Sequence, residues 1–323
     1  MAALSLKGSS RLLAVLGVCA AVFFGAGCDN QPPTNSAQNS ANTQPVAAPL
    51  IDFTRTVTDS RGKEIVLKAQ PKRIVSLSPA TTEILFALGI GDRIFGVTEA
   101  CDYPAEALKK PKIGGAYDMS VEKVQSQTPD LVIAFGTINE KPIAALEQAK
   151  IQTFVVDAKT VAEIYVAIRL LGKATGTEEQ AENLANAMES KLTALQKATE
   201  GYDPKPGVLI VHDTNPIYTT GPGSYIDEAI KIAGGKNVID AELAGSTLSP
   251  EKGVELVPDV ILCAPELRVK LRAIPGWADA IPAVMNNKYF SPSEAGTLTR
   301  PGPRLTQAIE ELARYLHPDL KLP

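Results

Sequence analysis

Ser120-Val121-Glu122-Lys123, followed by Pro129-Asp130-Leu131-Val132-Ile133, recurs as Ser249-Pro250-Glu251-Lys252, followed by Pro258-Asp259-Val260-Ile261-Leu262. In both copies the proline stands seven positions after the glutamate, and the copies lie 129 residues apart, counted from Glu122 to Glu251. A serine placed to cap, an acidic residue in the first turn, a Pro-Asp turn and an apolar run read as a short helix leading into a buried strand. A repeat at that distance predicts two similar α/β lobes rather than an array of short units. It also sets one surface glutamate at the same point of each lobe.

Working outward, Phe53 to Leu67 alternates apolar and polar around Asp59-Ser60-Arg61-Gly62, the pattern of a β-hairpin. Arg73 to Leu77 reads as a buried strand, and Thr81-Thr82-Glu83 opens an amphipathic helix that Gly89 closes. Arg93 to Val97 and Leu131 to Ala134 are further strands. Strands alternating with helices imply a mostly parallel sheet flanked by helices. Thr177 to Thr199 has neither glycine nor proline, and it keeps Ala181, Leu184, Ala185, Ala187, Met188, Leu192 and Leu195 at helical spacing. Such a helix spans about 35 Å, long enough to join two lobes. The βα pattern then restarts with Val208 to Val211, a helix from Tyr225 to Ala233, the second Pro-Asp strand and a last helix from Arg304 to Leu316. The expected fold is therefore α/β, with two Rossmann-like lobes joined by one long helix. The expected boundaries are 51–175 for the first lobe, 176–200 for the connecting helix and 201–323 for the second lobe.

The N-terminus carries an export signal. Lys7 and Arg11 precede an apolar stretch from Leu12 to Phe24, and Gly25-Ala26-Gly27 precedes Cys28, which resembles a bacterial lipoprotein signal over residues 1–27. That resemblance implies acylation of Cys28, and two or more chains hold a protein at a membrane where one is marginal. Asp29 after the cysteine resembles a signal for retention at the inner membrane of bacteria with two membranes. Residues 28–50 are rich in Asn, Gln, Pro, Ser and Ala and lack aromatic residues, so they are expected to form a disordered tether.

Composition narrows the function. A net charge of −4 forces no basic surface and argues against broad nucleic-acid binding. Two histidines, His212 and His317, fall short of the three or so that a zinc or manganese carrier needs. Ser78 before Pro79 lacks a G-x-S-x-G elbow, no glycine-rich phosphate loop occurs, and no paired acid and base stand out, so no enzyme is expected. Asp102, Asp130 and Asp259 read as turn residues. Once the signal is removed and Cys28 acylated, Cys101 and Cys263 remain, and two unpaired, partly buried thiols are expected.

Arg73 to Glu83, Asp102-Tyr103-Pro104, the Pro-Asp strands and Arg300-Pro301-Gly302-Pro303-Arg304 together resemble the substrate-binding proteins of ABC importers. The likeness runs from about residue 52 to 318, and it implies that the connecting helix is rigid and that a ligand cleft lies between the two lobes. It is to the helix-linked class that carries cobalamin, ferric siderophores or haem, and within it to the cobalamin binders. The resemblance implies a monomer that delivers its ligand to a membrane permease and its ATPase, at the periplasmic face of the inner membrane or the outer face of the cell membrane. Glu122 and Glu251 resemble the glutamates that dock onto arginines of the permease, although helix capping alone also explains an acidic residue in a first turn. Tyr117, Phe135 and Tyr218 fall at or beside places where cobalamin binders set aromatic rings against the ligand; packing in a core is the other reading of each. Arg300 matches a ligand-contacting arginine, or else pairs with Glu294 or a helix carbonyl, and Arg304 is expected to be structural. The cobalamin binders set several tryptophans in the cleft. Here Trp277 is the only one, and Ala116 and Gly245 stand at two matching places, which implies a wider pocket or a different corrinoid. A ferric siderophore or haem is the alternative ligand, with Tyr117 as the candidate axial group for haem, and no bound cofactor beyond the ligand is expected.

Overall fold

In the computed structural model the described residues are 53–136, 139–243, 245, 247–293 and 298–321. The expected signal segment, Cys28, the expected tether and Glu294 lie outside them.

The chain enters through an antiparallel hairpin, β1 (Arg55–Thr58) and β2 (Glu64–Leu67), with Arg55 opposite Leu67. Its turn is organised by the buried Asp59, which accepts from the Arg61 and Lys63 backbone N–H groups and pairs with the Arg61 guanidinium at 2.7 Å. The first lobe follows: β3 (Ile74–Ser76), α1 (Pro79–Ala87), β4 (Ile94–Val97), α2 (Val121–Ser126), β5 (Leu131–Phe135), α3 (Glu140–Gln148), β6 (Thr153–Val156) and α4 (Val161–Thr175). Its four strands lie in the order β4-β3-β5-β6, all parallel.

The helix predicted over 177–199 is α5 (Glu178–Thr199), 22 residues and so about 33 Å long. Of the residues expected on its apolar stripe, Ala181, Ala185, Met188, Leu192 and Leu195 are buried, Leu184 is half-buried, and Ala187 faces outward. Helix α4 packs along it. Thr160 and Glu163 form a reciprocal cap at the start of α4, each side chain accepting from the other's backbone N–H. Gly172 allows the close approach of the two helices, because a Cβ there would stand 2.4 Å from the Ala181 Cβ.

The second lobe comprises β7 (Gly207–Val211), β8 (Asp213–Thr214), β9 (Ile217–Tyr218), α6 (Tyr225–Ile232), β10 (Lys236–Asn237), β11 (Thr247–Leu248), α7 (Pro250–Glu255), β12 (Val260–Cys263), α8 (Leu267–Arg272), α9 (Trp277–Ala280), α10 (Pro282–Met285), β13 (Tyr289–Phe290) and α11 (Leu305–Leu316). Its main sheet is again parallel, in the order β10-β7-β12-β13, and a small antiparallel sheet, β11-β9-β8, lies beyond the end of β7.

Among the described residues three apolar cores divide the work. One runs from the first sheet through α4 and α5 to Val208, Ile210, α6 and α11, so the connecting helix is the spine of a core that both lobes share. The other faces of the two sheets have cores of their own, around Val132 and Val155 in the first lobe and around Ile261 and Trp277 in the second. Because the apolar stripe of α5 packs into a core that both lobes share, a change of lobe angle would expose apolar area at about 25 cal/mol per Å². Among the described residues no helix is long and apolar enough to cross a membrane.

The duplicated motif is duplicated in detail. Ser120 and Ser249 cap α2 and α7, each hydroxyl accepting from the backbone N–H three residues on at 3.2 Å. Six residues after each glutamate, Thr128 and Val257 share a left-handed φ of 46°. The Asp130 carboxylate then accepts from the N–H groups of Lys72 and Arg73 at the entry to β3, and Asp259 accepts from Gly207 N–H at the start of β7. Each aspartate thus stitches the motif's strand to the start of its neighbour, which is the physical content of the turn role expected for them.

Candidate functional site

Glu122 and Glu251 are exposed in the first turns of α2 and α7. Glu122 accepts from the Ser120 hydroxyl at 2.8 Å. Its counterpart Glu251 is held below the usual carboxylate range by its own backbone N–H and by Ser249. Neither is engaged by a lysine or arginine in any ion pair among the described residues. Two anionic points, fixed by equivalent caps and open to solvent, are thus presented by the two lobes.

The aromatic residues divide. Tyr117, in the loop before α2, is 75% exposed, and Tyr218, on β9, is 48% exposed. Phe135 requires a correction. It is 4% exposed and belongs to the shared core, so its ring packs rather than presents a face. Strand alternation decides this: Leu131, Ile133 and Phe135 point to one side of β5, into that core, while Val132 and Ala134 point to the other.

Arg300 has partners other than those expected. Its Nη1 meets Glu83 Oε1 at 3.1 Å and Asp102 Oδ1 at 2.5 Å, and Nη2 meets Asp102 Oδ2 at 3.0 Å. Arg304 closes the group with two bonds to Glu83, at 2.7 and 3.0 Å, and its guanidinium lies 4.0 Å over the Tyr103 ring. Glu83, Asp102 and Tyr103 belong to the first lobe and the arginines to the second, so the cluster is a second tie between lobes, independent of α5. The Arg300 guanidinium holds the Asp102 carboxyl below its ordinary value. Asp102 is therefore more than a turn residue, and Arg304 is structural as expected. Sequence reasoning had Glu83 and Asp102 within its motifs but no signal to pair them with arginines about 200 positions away.

At the carboxyl ends of β7, β12 and β13 lies a cavity of about 120 Å³ lined by residues that include His212, Cys263, Ser291, Leu298 and Thr299. Thr299 adjoins Arg300, so the cavity opens beside the interlobe cluster. Crevices outside strand carboxyl ends are where parallel α/β sheets bind ligands. His212 Nε2 is 2.6 Å from the Thr220 hydroxyl, and burial pushes the ring's pKa below its ordinary value, favouring neutral imidazole. In the sequence His212 stands out only as a candidate metal ligand, and nothing local in its surroundings marks it as lining a cavity.

The first lobe differs at its strand ends. Ser76, Ser78, Thr81 and Thr82 bond to one another, and Thr82 and Thr98 reach the Cys101 sulfur at 3.2 and 3.1 Å, all fully buried. Ser78 caps α1 there, with Thr81 N–H donating to it. Cys101 and Cys263 are both free and buried, and burial lifts the Cys263 thiol to about 11. Among the described residues no group of three or more His, Cys, Asp or Glu side chains could hold a metal.

Comparison with known proteins fits this geometry. The sequence profile of a family described as periplasmic binding protein matches residues 74–293. An uncharacterized ABC transporter substrate-binding lipoprotein, YvrC, of Bacillus subtilis (strain 168) is 33% identical over 94% of this chain and 97% of its own length. A vitamin B12-binding protein of Vibrio vulnificus (strain CMCP6) is 29% identical over 78% of this chain and 92% of its own. The apo structure of the periplasmic haem-binding protein RhuT from Roseiflexus sp. RS-1 superposes with a TM-score of 0.71 at 28% identity, over 77% of this chain and 99% of that one.

Proposed function

The chain belongs to the periplasmic binding protein family, and from that premise we propose that it captures a corrinoid outside the cytoplasm and hands it to an ABC permease. It is an ABC transporter substrate-binding protein of the type that serves vitamin B12, haem or siderophores. What carries the corrinoid reading is the pair of exposed rings, Tyr117 from the first lobe and Tyr218 from the second. A large aromatic surface open to solvent on each lobe suits a broad, flat, largely apolar ligand, and the two hydroxyls suit its polar periphery. Among the relatives, a vitamin B12-binding protein supports the same reading.

Delivery rests on Glu122 and Glu251. A carboxylate on each lobe matches a pair of arginines on a two-fold permease, fixing orientation and speeding encounter more than adding affinity. The lobes, tied by α5 and by the Glu83–Arg300–Asp102 cluster, keep those two carboxylates at a set spacing. The permease's ATPase supplies the energy for import, the binding protein acts as a monomer, and acylated Cys28 keeps it at the membrane. A second reading, haem, is favoured by one observation: the exposed Tyr117 hydroxyl is free to act as an axial oxygen ligand.

Calorimetric titration with cobalamin, cobinamide, haem and a panel of ferric siderophores tests the ligand. Tight one-to-one corrinoid binding is expected, and binding confined to haem or a siderophore overturns the corrinoid reading. For docking, Glu122→Arg combined with Glu251→Arg should leave ligand affinity intact and abolish uptake; uptake at the normal rate would sink the assignment.

A further inference from the structure

We propose that the cavity at the carboxyl ends of β7, β12 and β13 receives one uncharged, hydrogen-bonding side arm of the ligand, a carboxamide rather than a carboxylate, with His212 as its polar contact. The proposal rests on the corrinoid reading and deepens it by naming the chemistry of the periphery. At about 120 Å³ the cavity is slightly smaller than a cavity of about 150 Å³ that holds benzene, so it takes an arm of a few heavy atoms and excludes a macrocycle.

Its lining selects against charge. Among the described residues, Leu262, Leu298 and the rest of the lining include no Asp, Glu, Lys or Arg, so none of them offers an ionised arm a counter-ion. The polar groups are largely committed. Ser291 donates to the Cys263 carbonyl at 2.6 Å and accepts from Arg268 Nη2 at 3.0 Å. His212 commits Nε2 to Thr220, which leaves its other ring nitrogen for a ligand. Which nitrogen carries the proton depends on that bond, and a carboxamide serves both tautomers because it holds a donor and an acceptor. A carboxylate serves only one, and it brings a charge. Arg268 reaches the wall through Ser291, and its Nε is buried without a partner, which makes it a cation placed to reverse this preference.

The test titrates the full chain with cobinamide, whose peripheral arms are amides, and with cobyrinic acid, in which the arms are carboxylates. Cobyrinic acid is expected to bind at least about a hundredfold more weakly. His212→Phe should weaken cobinamide about tenfold while leaving the thermal midpoint and the weak binding of cobyrinic acid unchanged. Thr220→Val, which releases the ring without removing it, should act in the same direction by about threefold and guards against a folding defect in the first variant. Equal affinity for amide and acid forms overturns the proposal, as does cobinamide binding that neither variant alters. Acid binding that Arg268→Gln abolishes also overturns it, in favour of a carboxylate paired with that arginine. In each of these cases tight corrinoid binding still stands, so the failure belongs to the subsite alone. If instead no corrinoid binds and haem does, the ligand reading fails and the subsite with it, because the arms of haem are carboxylates.

Discussion

The two copies of the Ser-x-Glu motif share a backbone and lean on different things. Two residues after Glu122 stands Val124, fully buried, which packs α2 against the first lobe with its own side chain. Two residues after Glu251 stands Gly253, where a Cβ would come 2.4 Å from the Trp277 ring, and Trp277, fully buried, donates from Nε1 to the Pro250 carbonyl at 2.9 Å. The same helix is thus seated by its own valine in one lobe and by a neighbour's indole in the other. What the copies keep in common is the cap, the left-handed residue and the aspartate stitch, all of which serve to aim one glutamate outward. The strand ends, free of that duty, have diverged into a closed hydroxyl–thiol network in the first lobe and an open cavity in the second.

The largest test of this division concerns the tie between lobes, to which the first lobe contributes acids and the second arginines. Glu83→Ala leaves two mostly buried arginines without their shared partner, and denaturant unfolding should show a loss of about 3–5 kcal/mol. A loss below about 1 kcal/mol would mean that the lobes are held by α5 alone. Next in size is Gly253→Val, which makes the second copy resemble the first. The added branches meet the Trp277 ring, and a cost of about 2–3 kcal/mol is expected, against about 1 kcal/mol for Val124→Ala followed by local collapse. Equal costs would show that the two helices are seated alike after all.

The smallest effect separates the two stitches. Asp130 holds two backbone N–H groups and Asp259 holds one, both at the surface. Asp130→Ala should therefore cost about 1–2 kcal/mol and Asp259→Ala about half as much, read as shifts in the denaturation midpoint. The reverse order would show that the strand entry in the second lobe depends more heavily on its single bond.

Caps, turns and periodicity are local, and they were legible. The hairpin around Asp59, the helix over 177–199, the parallel alternation and the paired glutamates all follow from residues within about ten positions of one another. Helix α4, outside the elements expected from the sequence, carries a local signal of the same kind in its Thr160–Glu163 capping box. The site was legible only in part. Exposure of Tyr117 and Tyr218 agrees with a surface role, but Phe135 ends its strand on the core side, and a one-residue difference in register reverses such an outcome.

By itself the sequence determined two α/β lobes, the helix between them and the two aimed glutamates, because each is built from short-range hydrogen bonds and apolar spacing. Only the tertiary structure decided that Arg300 ties the lobes through Glu83 and Asp102, and that His212 meets a cavity with Ser291 and Thr299. Those groups come from chain segments tens to hundreds of residues apart, and no local pattern records which charges will be desolvated together. The buried carboxylate chooses its arginines only once both lobes have packed on α5, when leaving it unpaired has become costly.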